Sequence, residues 1–299
     1  MRRRRWPVLA LVLGVLGLIV PGPTSTPAAF LVKVHTAEAV AHPDHPRDVV
    51  WVLALGSDAR PGEDPLRSRA DAIQLVGVDL SSGRGAVIGI PRDSWVAIPG
   101  VGHDRVNAGL THGGPQLMAQ TVSALVGIRP DYVVTTTFGG IKGLVRTLGG
   151  VTVHSRMNVI DDNMPGRVHP GRNRLDDANA LFFARARHLL PGGDFDRSAN
   201  QQELLRGLLR GVRARADEPG FMERAVLTAL SRLRTDVGPA ELYRLAHAAT
   251  QVDPERVRGC VVHGSYGMVG AASIVFPDLA QARRLGADAK DDARFDRGC

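Results

Sequence analysis

Arginine and aspartate recur in this chain at the ends of apolar runs. "LGSDARPG" carries Asp58 and Arg60, "RSRADAIQLV" carries Arg69 and Asp71, and "IPRDSWVAIPG" carries Arg92 and Asp93. A fourth stretch, "ALFFARARHLLPGGDFDRSANQQ", holds Arg185, Arg187 and Arg197 beside Phe182 and Phe183. Taken singly, such residues are turn formers or surface ion pairs. Taken together, six arginines against Asp58 and Asp71 leave positive charge that salt bridges among themselves do not satisfy. A polyanion satisfies it. The planar guanidinium fork matches phosphate oxygens in pairs. Two carboxylates can hold a Mg²⁺ that keeps most of its water and binds the same phosphates. No Ser-His-Asp or Cys-His arrangement is evident, so a covalent enzyme intermediate is not indicated.

These clusters need strands to carry them, because open α/β sheets place ligands beyond the carboxyl ends of their strands. "VVWVLALG" (49–56) is an apolar run of strand length, as expected for a central strand buried on both faces. "AIQLVGVD" (72–79) and "GAVIGIPRD" (85–93) read as two more strands, joined through Ser81-Ser82-Gly83 as a hairpin. "GPQLMAQTVSALVG" is a helix, "DYVVTTTF" a strand, "GGIKGLVRTLGG" a helix stopped by Gly149-Gly150, and "VTVHS" a further strand. The longest helix signal is "SANQQELLRGLLRGVRARA", with Leu204, Leu205, Leu208, Leu209 and Val212 as a core-facing stripe. Two more helices, about 220–234 and 239–250, precede strand-like "RGCVVHGSYG" and "AASIVF". The alternation predicts an α/β fold, a three-layer α/β/α sandwich with a mixed central sheet. On a helix, Arg185 and Arg187 point about 200° apart. If the helix opening near Asp176 ends by about Phe183, "FARAR" is extended and both face one way. Phe182 and Phe183 then pack beneath them or line an adjoining apolar groove.

The chain has 299 residues, 44% of them hydrophobic and 22% charged, which is a globular composition. Its net charge of +7 and pI near 10.2 point to anionic partners. Part of that charge is Arg2 to Arg5, a basic tail (1–5) before the apolar run from Trp6 to Val20. Basic flank followed by apolar run keeps the arginines in the cytoplasm and exports the remainder. We therefore expect one N-terminal membrane segment over 6–22, a transmembrane anchor or a cleaved signal, then a linker over 23–47. An extracytoplasmic domain over 48–299 follows. Export leaves no genomic nucleic acid to bind. Cys260 and Cys299 are the only cysteines, and an oxidising compartment joins them, two unpaired thiols being the alternative.

The motifs "LGSDAR", "RADAI", "IPRDSWVAIPG", "RVNAGLTHGGP", "LGGVTV", "FARARH" and "GDFDRSANQQ" stand in the order and spacing of LytR-CpsA-Psr domains. The chain resembles that family closely over about Val49 to Gln202 and more loosely through Phe276. The resemblance implies a membrane-anchored, Mg²⁺-dependent phosphotransferase of the cell membrane. Such an enzyme moves a glycopolymer from a polyprenyl-pyrophosphate carrier to peptidoglycan through a phosphodiester. By the same resemblance, Asp58 and Asp71 match the acidic pair associated with Mg²⁺. Arg60, Arg69, Arg92, Arg185 and Arg187 match pyrophosphate-binding positions, and Asp194, Arg197 and Gln201 the polar positions of the final motif; Asp58, Asp71 and Arg92 are the catalytic candidates. His112 and His188 lie in motifs as structural residues. An apolar tunnel for the lipid, lined by the Leu- and Val-rich helices with Phe138, Phe182 or Phe183, is also implied. The chain departs from the family at Ala70 and Ala72, where Ser and Thr are usual, at Arg105 for Lys and at Asp196 for Gly. A polyprenyl-pyrophosphate phosphatase and a non-catalytic lipid-pyrophosphate-binding regulator are the alternatives.

Overall fold

A computed structural model describes residues 29–34, 46, 48–216, 218–221, 233–238, 241, 245 and 248–299. Chain order begins β1 (Ala29–Lys33), β2 (Val49–Ser57), β3 (Ala70–Asp79), β4 (Arg84–Gly89), β5 (Trp95–Ile98) and β6 (Gly102–Arg105). Next come α1 (Ala108–Val126), β7 (Tyr132–Thr137), α2 (Phe138–Thr147), β8 (Val151–Ser155), β9 (Gly171–Leu175), α3 (Asp177–Arg185) and α4 (Asp194–Arg215). The chain closes with β10 (Leu233–Thr235), β11 (Val257–Val261), β12 (Gly264–Val269), β13 (Ala272–Pro277) and α5 (Leu279–Ala289).

Among the described residues, seven strands make the central sheet, in the order β10-β1-β7-β2-β3-β4-β11. The β2–β3 and β3–β4 pairs are antiparallel, the latter through the expected hairpin, while β2–β7 and β4–β11 are parallel. The sheet is therefore mixed, as expected. One face is apolar: Trp51, Leu53, Leu55, Ile73, Leu75 and Ile88 pack under Met118, Val122 and Val126 of α1 and Leu285 of α5. On the other face α4 crosses β3, β4 and β11, so helices cover both sides.

Several elements differ from expectation. β2 alternates buried and half-buried positions and is not sealed on both faces. Ala54 and Gly56 on its second face line a cavity rather than a core. The "VTVHS" strand leaves the central sheet and pairs with β9 in a two-stranded sheet beneath α4. Residues 29–33, inside the stretch expected to be linker, form β1 and pair antiparallel with β7. The apolar Phe30-Leu31-Val32 core of that strand was masked in the sequence by its Pro- and Thr-rich flank. The helix read from residue 114 starts at Ala108 and breaks at Gly114, whose φ is 67°, next to Pro115. The expected helices at 220–234 and 239–250 lie largely outside the described residues; within the first, Leu233–Thr235 is strand. The membrane segment over 6–22 also lies outside them. No helix of the described residues is long and apolar enough to cross a membrane.

Cys260, on the edge strand β11, is bonded to Cys299, which pins the end of the chain to the sheet. α4 begins at Asp194, four residues before the leucine-bearing run read as helix. Gly193 turns the chain with φ 55°, and Asp194 and Asp196 in the first turn suit the helix N-terminus. Its approach to the sheet is close at Gly89 of β4, where a Cβ would overlap Ser198 Oγ and lie 2.8 Å from Gln202 Nε2. Gly89→Ala is expected to cost about 1–3 kcal/mol by forcing α4 off the sheet. A urea-unfolding midpoint equal to wild type would show that the helix has room to spare.

Candidate active site

The first turns of α4 are polar and buried. Gln74 of β3 donates to Ser198 Oγ at 3.0 Å and to Gln201 Oε1 at 3.1 Å, and Gln201 Nε2 donates to the Ala184 carbonyl at 3.1 Å. Gln202 Nε2 donates to the Cys260 carbonyl at 2.8 Å. These amides fix both height and rotation of the helix over the sheet, since each bond has a direction that apolar contact lacks. The rotation aims Arg197 and Gln201 into a cavity of about 770 Å³.

One end of that cavity is charged. Asp71 at the start of β3, Arg92 after β4, Arg185 and Arg187 at the end of α3, and Arg197 and Gln201 of α4 line it together. The remainder is largely apolar, with Ile141 and Leu144 of α2 and Leu204, Leu205, Leu208 and Val212 of α4 in its lining. The leucine stripe thus splits: Leu204 and Leu208 are buried, while Leu205, Leu209 and Val212 are half-buried, and four of the five line the cavity.

Arg185 and Arg187 do share this cavity, by a different route from the one expected. α3 continues through Arg185 and the chain becomes extended at Ala186, with ψ 134°. That change of direction brings round Arg187, which as the next helical residues would point away. Phe182 and Phe183 are both core residues and do not line the cavity. Phe138 does, and Arg185 lies 4.4 Å over its ring centroid. Arg185 has no carboxylate partner among the described residues.

The other guanidiniums are held by acids. Arg197 is 5% exposed and pairs with Asp194, also 5% exposed, at 2.6 Å. Asp194 in addition accepts from the Arg92 backbone N–H at 3.2 Å and lies 3.7 Å from Arg187 Nη1. Arg92 pairs with Asp71 and lies 3.6 Å from Asp93, and Asp93 is 3.5 Å from Arg187 and 3.6 Å from Arg105. Burial pushes the Arg197 guanidinium below its usual value, with Asp194 opposing the shift. Burial acts the same way on Arg92, but Asp71 and Asp93 outweigh it and hold Arg92 above its usual value. The count of six arginines facing two aspartates therefore needs correction. Four of the six line the cavity, where Arg146 of α2 is a fifth arginine, and Asp93 and Asp194 join Asp71 and Asp58 as counterions.

Asp58 stands beside this group. Burial, and next the charge of Asp71, raise its carboxyl above the usual value, against the Arg69 N–H that donates to it at 3.0 Å. Two carboxylates this close, the charge of one raising the proton affinity of Asp58, form a donor set of the kind a hard divalent cation takes. One oxygen of each is engaged, by the Arg69 N–H and by Arg92, and the second remains. Arg60 and Arg69 do not line the cavity: both are exposed, and the Arg60 N–H donates to Glu63. Their spacing from Asp58 and Asp71 is local, whereas the chain at residues 60–69 forms an exposed turn-rich loop.

The departures from the family pattern have mild consequences. Ala72 places a methyl on the cavity wall, and Ala70 is fully buried. Asp196, rather than crowding Arg197, accepts from the Gly192 N–H at 2.6 Å and closes the Gly-Gly turn. His112 is exposed and 3.5 Å from Asp104. His188, read as structural, lines the cavity, with Asp161 and Asp162 close enough to make a three-residue group. Asp161 is committed to the turn, accepting from the Arg187 and Asn163 amides at 2.9 Å each. Sequence reading passed over this group and over Asp93 as a counterion, although Asp93 stood next to Arg92 in the motif.

The family model described as "LytR_cpsA_psr family" matches residues 26–291. "Probable cell wall biosynthesis protein LcpB" of Corynebacterium glutamicum is 34% identical over 184 residues, which are 58% of this chain and 43% of that protein. "Polyisoprenyl-teichoic acid--peptidoglycan teichoic acid transferase TagU" of Enterococcus faecalis is 27% identical over 65% of this chain and 64% of its own. This chain thus spans less than two thirds of either relative. Among solved structures, "LytR-CPS2A-psr family protein YwtF (TagT) with bound octaprenyl pyrophosphate lipid" is similar in fold, with a TM-score of 0.62 and 22% identity over 83% of this chain and 91% of that one.

Two outcomes are expected from the charges. Removing Asp194 leaves Arg197 buried and unpaired, so Asp194→Ala is expected to lose about 3–5 kcal/mol in chemical denaturation; a loss below 1 kcal/mol would mean that Arg197 swings out to solvent. In Asp71→Asn the Asp58 carboxyl is expected to titrate at lower pH than in wild type, followed by carboxyl-carbon NMR. The sign follows from its raised value: the folded chain gives up this proton later than the unfolded one, so stability falls as pH rises through that value. An unmoved titration would exclude the coupling.

Proposed function

The chain belongs to the LytR-CpsA-Psr family, and from that premise we propose that it transfers a glycopolymer from a polyprenyl-pyrophosphate carrier to a peptidoglycan sugar hydroxyl. The observation that carries the reading is one cavity with two chemistries: four arginines at one end and a leucine-lined groove at the other. A lipid pyrophosphate has the same two parts. The relative named as a teichoic acid transferase and the similar fold with bound octaprenyl pyrophosphate support the substrate class.

In the proposed reaction the hydroxyl oxygen attacks the phosphorus nearer the glycopolymer. A P–O bond forms, the P–O bond to the lipid phosphate breaks with its electron pair leaving on lipid monophosphate, and the hydroxyl proton is released. Phosphoryl transfer asks for positioning and charge neutralisation more than for covalent help. Arg92, Arg187 and Arg197, locked by Asp71, Asp93 and Asp194, are preorganised donors for equatorial phosphate oxygens. Arg185, held over the Phe138 face and not by an acid, is the guanidinium readiest to take a phosphate. Asp58 and Asp71 would hold Mg²⁺, which supplies further neutralisation of phosphate charge when bound. We further place the domain outside the cytoplasm, anchored by residues 6–22; the basic flank at Arg2–Arg5 and the Cys260–Cys299 bond support that side of the membrane.

The test uses the full chain in detergent with a polyprenyl-pyrophosphate-linked sugar, a peptidoglycan fragment and Mg²⁺. Mass spectrometry is expected to find a glycan–peptidoglycan phosphodiester, and Arg92→Ala and Arg185→Ala are each expected to lower the rate by about 10²–10³. Free phosphorylated glycan in its place identifies a phosphatase, and tight lipid binding without turnover identifies a binder.

A further inference from the structure

The large cavity does not account for every group around the arginines. A second cleft, of about 230 Å³, lies against Arg187 and His188, which line both cavities. Its other walls are Asp93, the Gly193-Asp194 start of α4, and Tyr266 with Ser273, Ile274 and Val275 of the β12–β13 hairpin. The hairpin is fastened to the arginine-bearing loop: the Val275 N–H donates to the Asp93 carbonyl at 2.9 Å. Tyr266 is fastened to the turn before α4, its hydroxyl donating to the Gly192 carbonyl at 3.0 Å and accepting from the Asp194 N–H at 3.1 Å.

The helix α4 sets the order of these parts. Its first residue lines the cleft, Arg197 and Gln201 line the charged end of the large cavity, and Leu204 to Val212 line the apolar end. At 1.5 Å per residue, Asp194 and Val212 lie about 27 Å apart along the helix, with the arginines between. An in-line displacement needs the entering oxygen on the side of phosphorus opposite the leaving group. With the lipid phosphate leaving toward the leucines, the entering hydroxyl comes from the end of α4 that opens on the cleft.

Resting on the transferase reading above, we propose that this cleft is the acceptor subsite and holds a sugar ring of the peptidoglycan glycan strand. The lining suits a sugar. Oδ1 of Asp93 accepts no hydrogen bond, Arg105 lying 3.6 Å from it, which leaves one acceptor for a hydroxyl; Oδ1 of Asp194 is taken by Arg197 at 2.6 Å. The Tyr266 ring is 56% exposed and braced edge-on by Phe195 at 5.4 Å, and Phe195 is itself stacked on His263 at 5.2 Å. A braced, exposed aromatic face offers the apolar side of a pyranose a surface while polar groups take its rim. Met268, 60% exposed and two residues from Tyr266 on the same face of β12, extends the surface for neighbouring units of the strand.

A pyranose in the cleft has two possible sources, the acceptor strand or the first sugar of the lipid-linked donor, and one variant separates them. Ser273→Trp fills the cleft from an exposed position on the hairpin and leaves every cavity arginine in place. Binding to the full chain in detergent is measured by titration calorimetry with a GlcNAc–MurNAc tetrasaccharide, polyprenyl pyrophosphate and polyprenyl-pyrophosphate-linked GlcNAc. The tetrasaccharide is expected to bind wild type and to lose about tenfold or more in affinity in Ser273→Trp, with both lipids unchanged. Tyr266→Phe, which keeps the ring, is expected to retain the tetrasaccharide, and this holds the test open if Ser273→Trp misfolds, because Tyr266→Ala is then expected to lose it. Equal tetrasaccharide affinity in wild type and the filled or ring-less variants overturns the proposal. So does a loss confined to lipid-linked GlcNAc, which would make the cleft a donor subsite. Failure of the transferase reading looks different: wild type binds neither lipid, whatever the tetrasaccharide does.

Discussion

The buried pair of Asp194 and Arg197 is the constraint from which the site is built. Two charges at 5% exposure are tolerable only while they satisfy each other, so the first turn of α4 has one acceptable position. The same carboxylate accepts from the Arg92 backbone and stands near Arg187. One aspartate at a helix start thereby sets the relative placement of three arginines that come from three different segments. Such a pair adds little stability over an apolar substitute; its contribution here is position.

The two faces of the central sheet divide the labour. Under α1 and α5 the contact is apolar, with Trp51, Leu53 and Leu75 fully buried, and supplies burial without direction. Under α4 it is a set of amide hydrogen bonds through Gln74, Gln201 and Gln202. Side-chain amides fail if the helix rotates, and leucines largely do not. The helix that carries the phosphate-facing residues is thus the one held by directional bonds, and Gly89 gives it the clearance to sit there.

Charge in the site is balanced more closely than the arginine count implies. Asp93 and Asp194 hold Arg92, Arg187 and Arg197 in place before any substrate arrives, so the donors need no reorganisation when phosphate binds. Arg185 is the exception, resting on the Phe138 ring. The preference for an anion therefore rests on orientation, with four guanidiniums turned to one end of a largely apolar cavity, and less on surplus charge.

Much of this was legible in the sequence. β2, the β3–β4 hairpin, β7, α2 and the long α4 announce themselves through apolar period and turn residues, which are local properties. The motifs named the family, and with two cysteines only one bond was open. Where the residues meet was not local. Arg60 and Arg69 share motifs with Asp58 and Asp71 yet lie outside the cavity, because the loop between them is exposed. β1 lies next to β7, about a hundred residues away in sequence, and β8 turns from the central sheet to β9. Strand partners at that separation are chosen by the packing of whole faces, and no window of sequence contains both. The bend at Ala186 that turns Arg187 beside Arg185 and the pairing of Asp194 across three segments belong to the same class. The residue types fixed which chemistry was possible; the packing of α4 on the sheet decided which arginines take part in it.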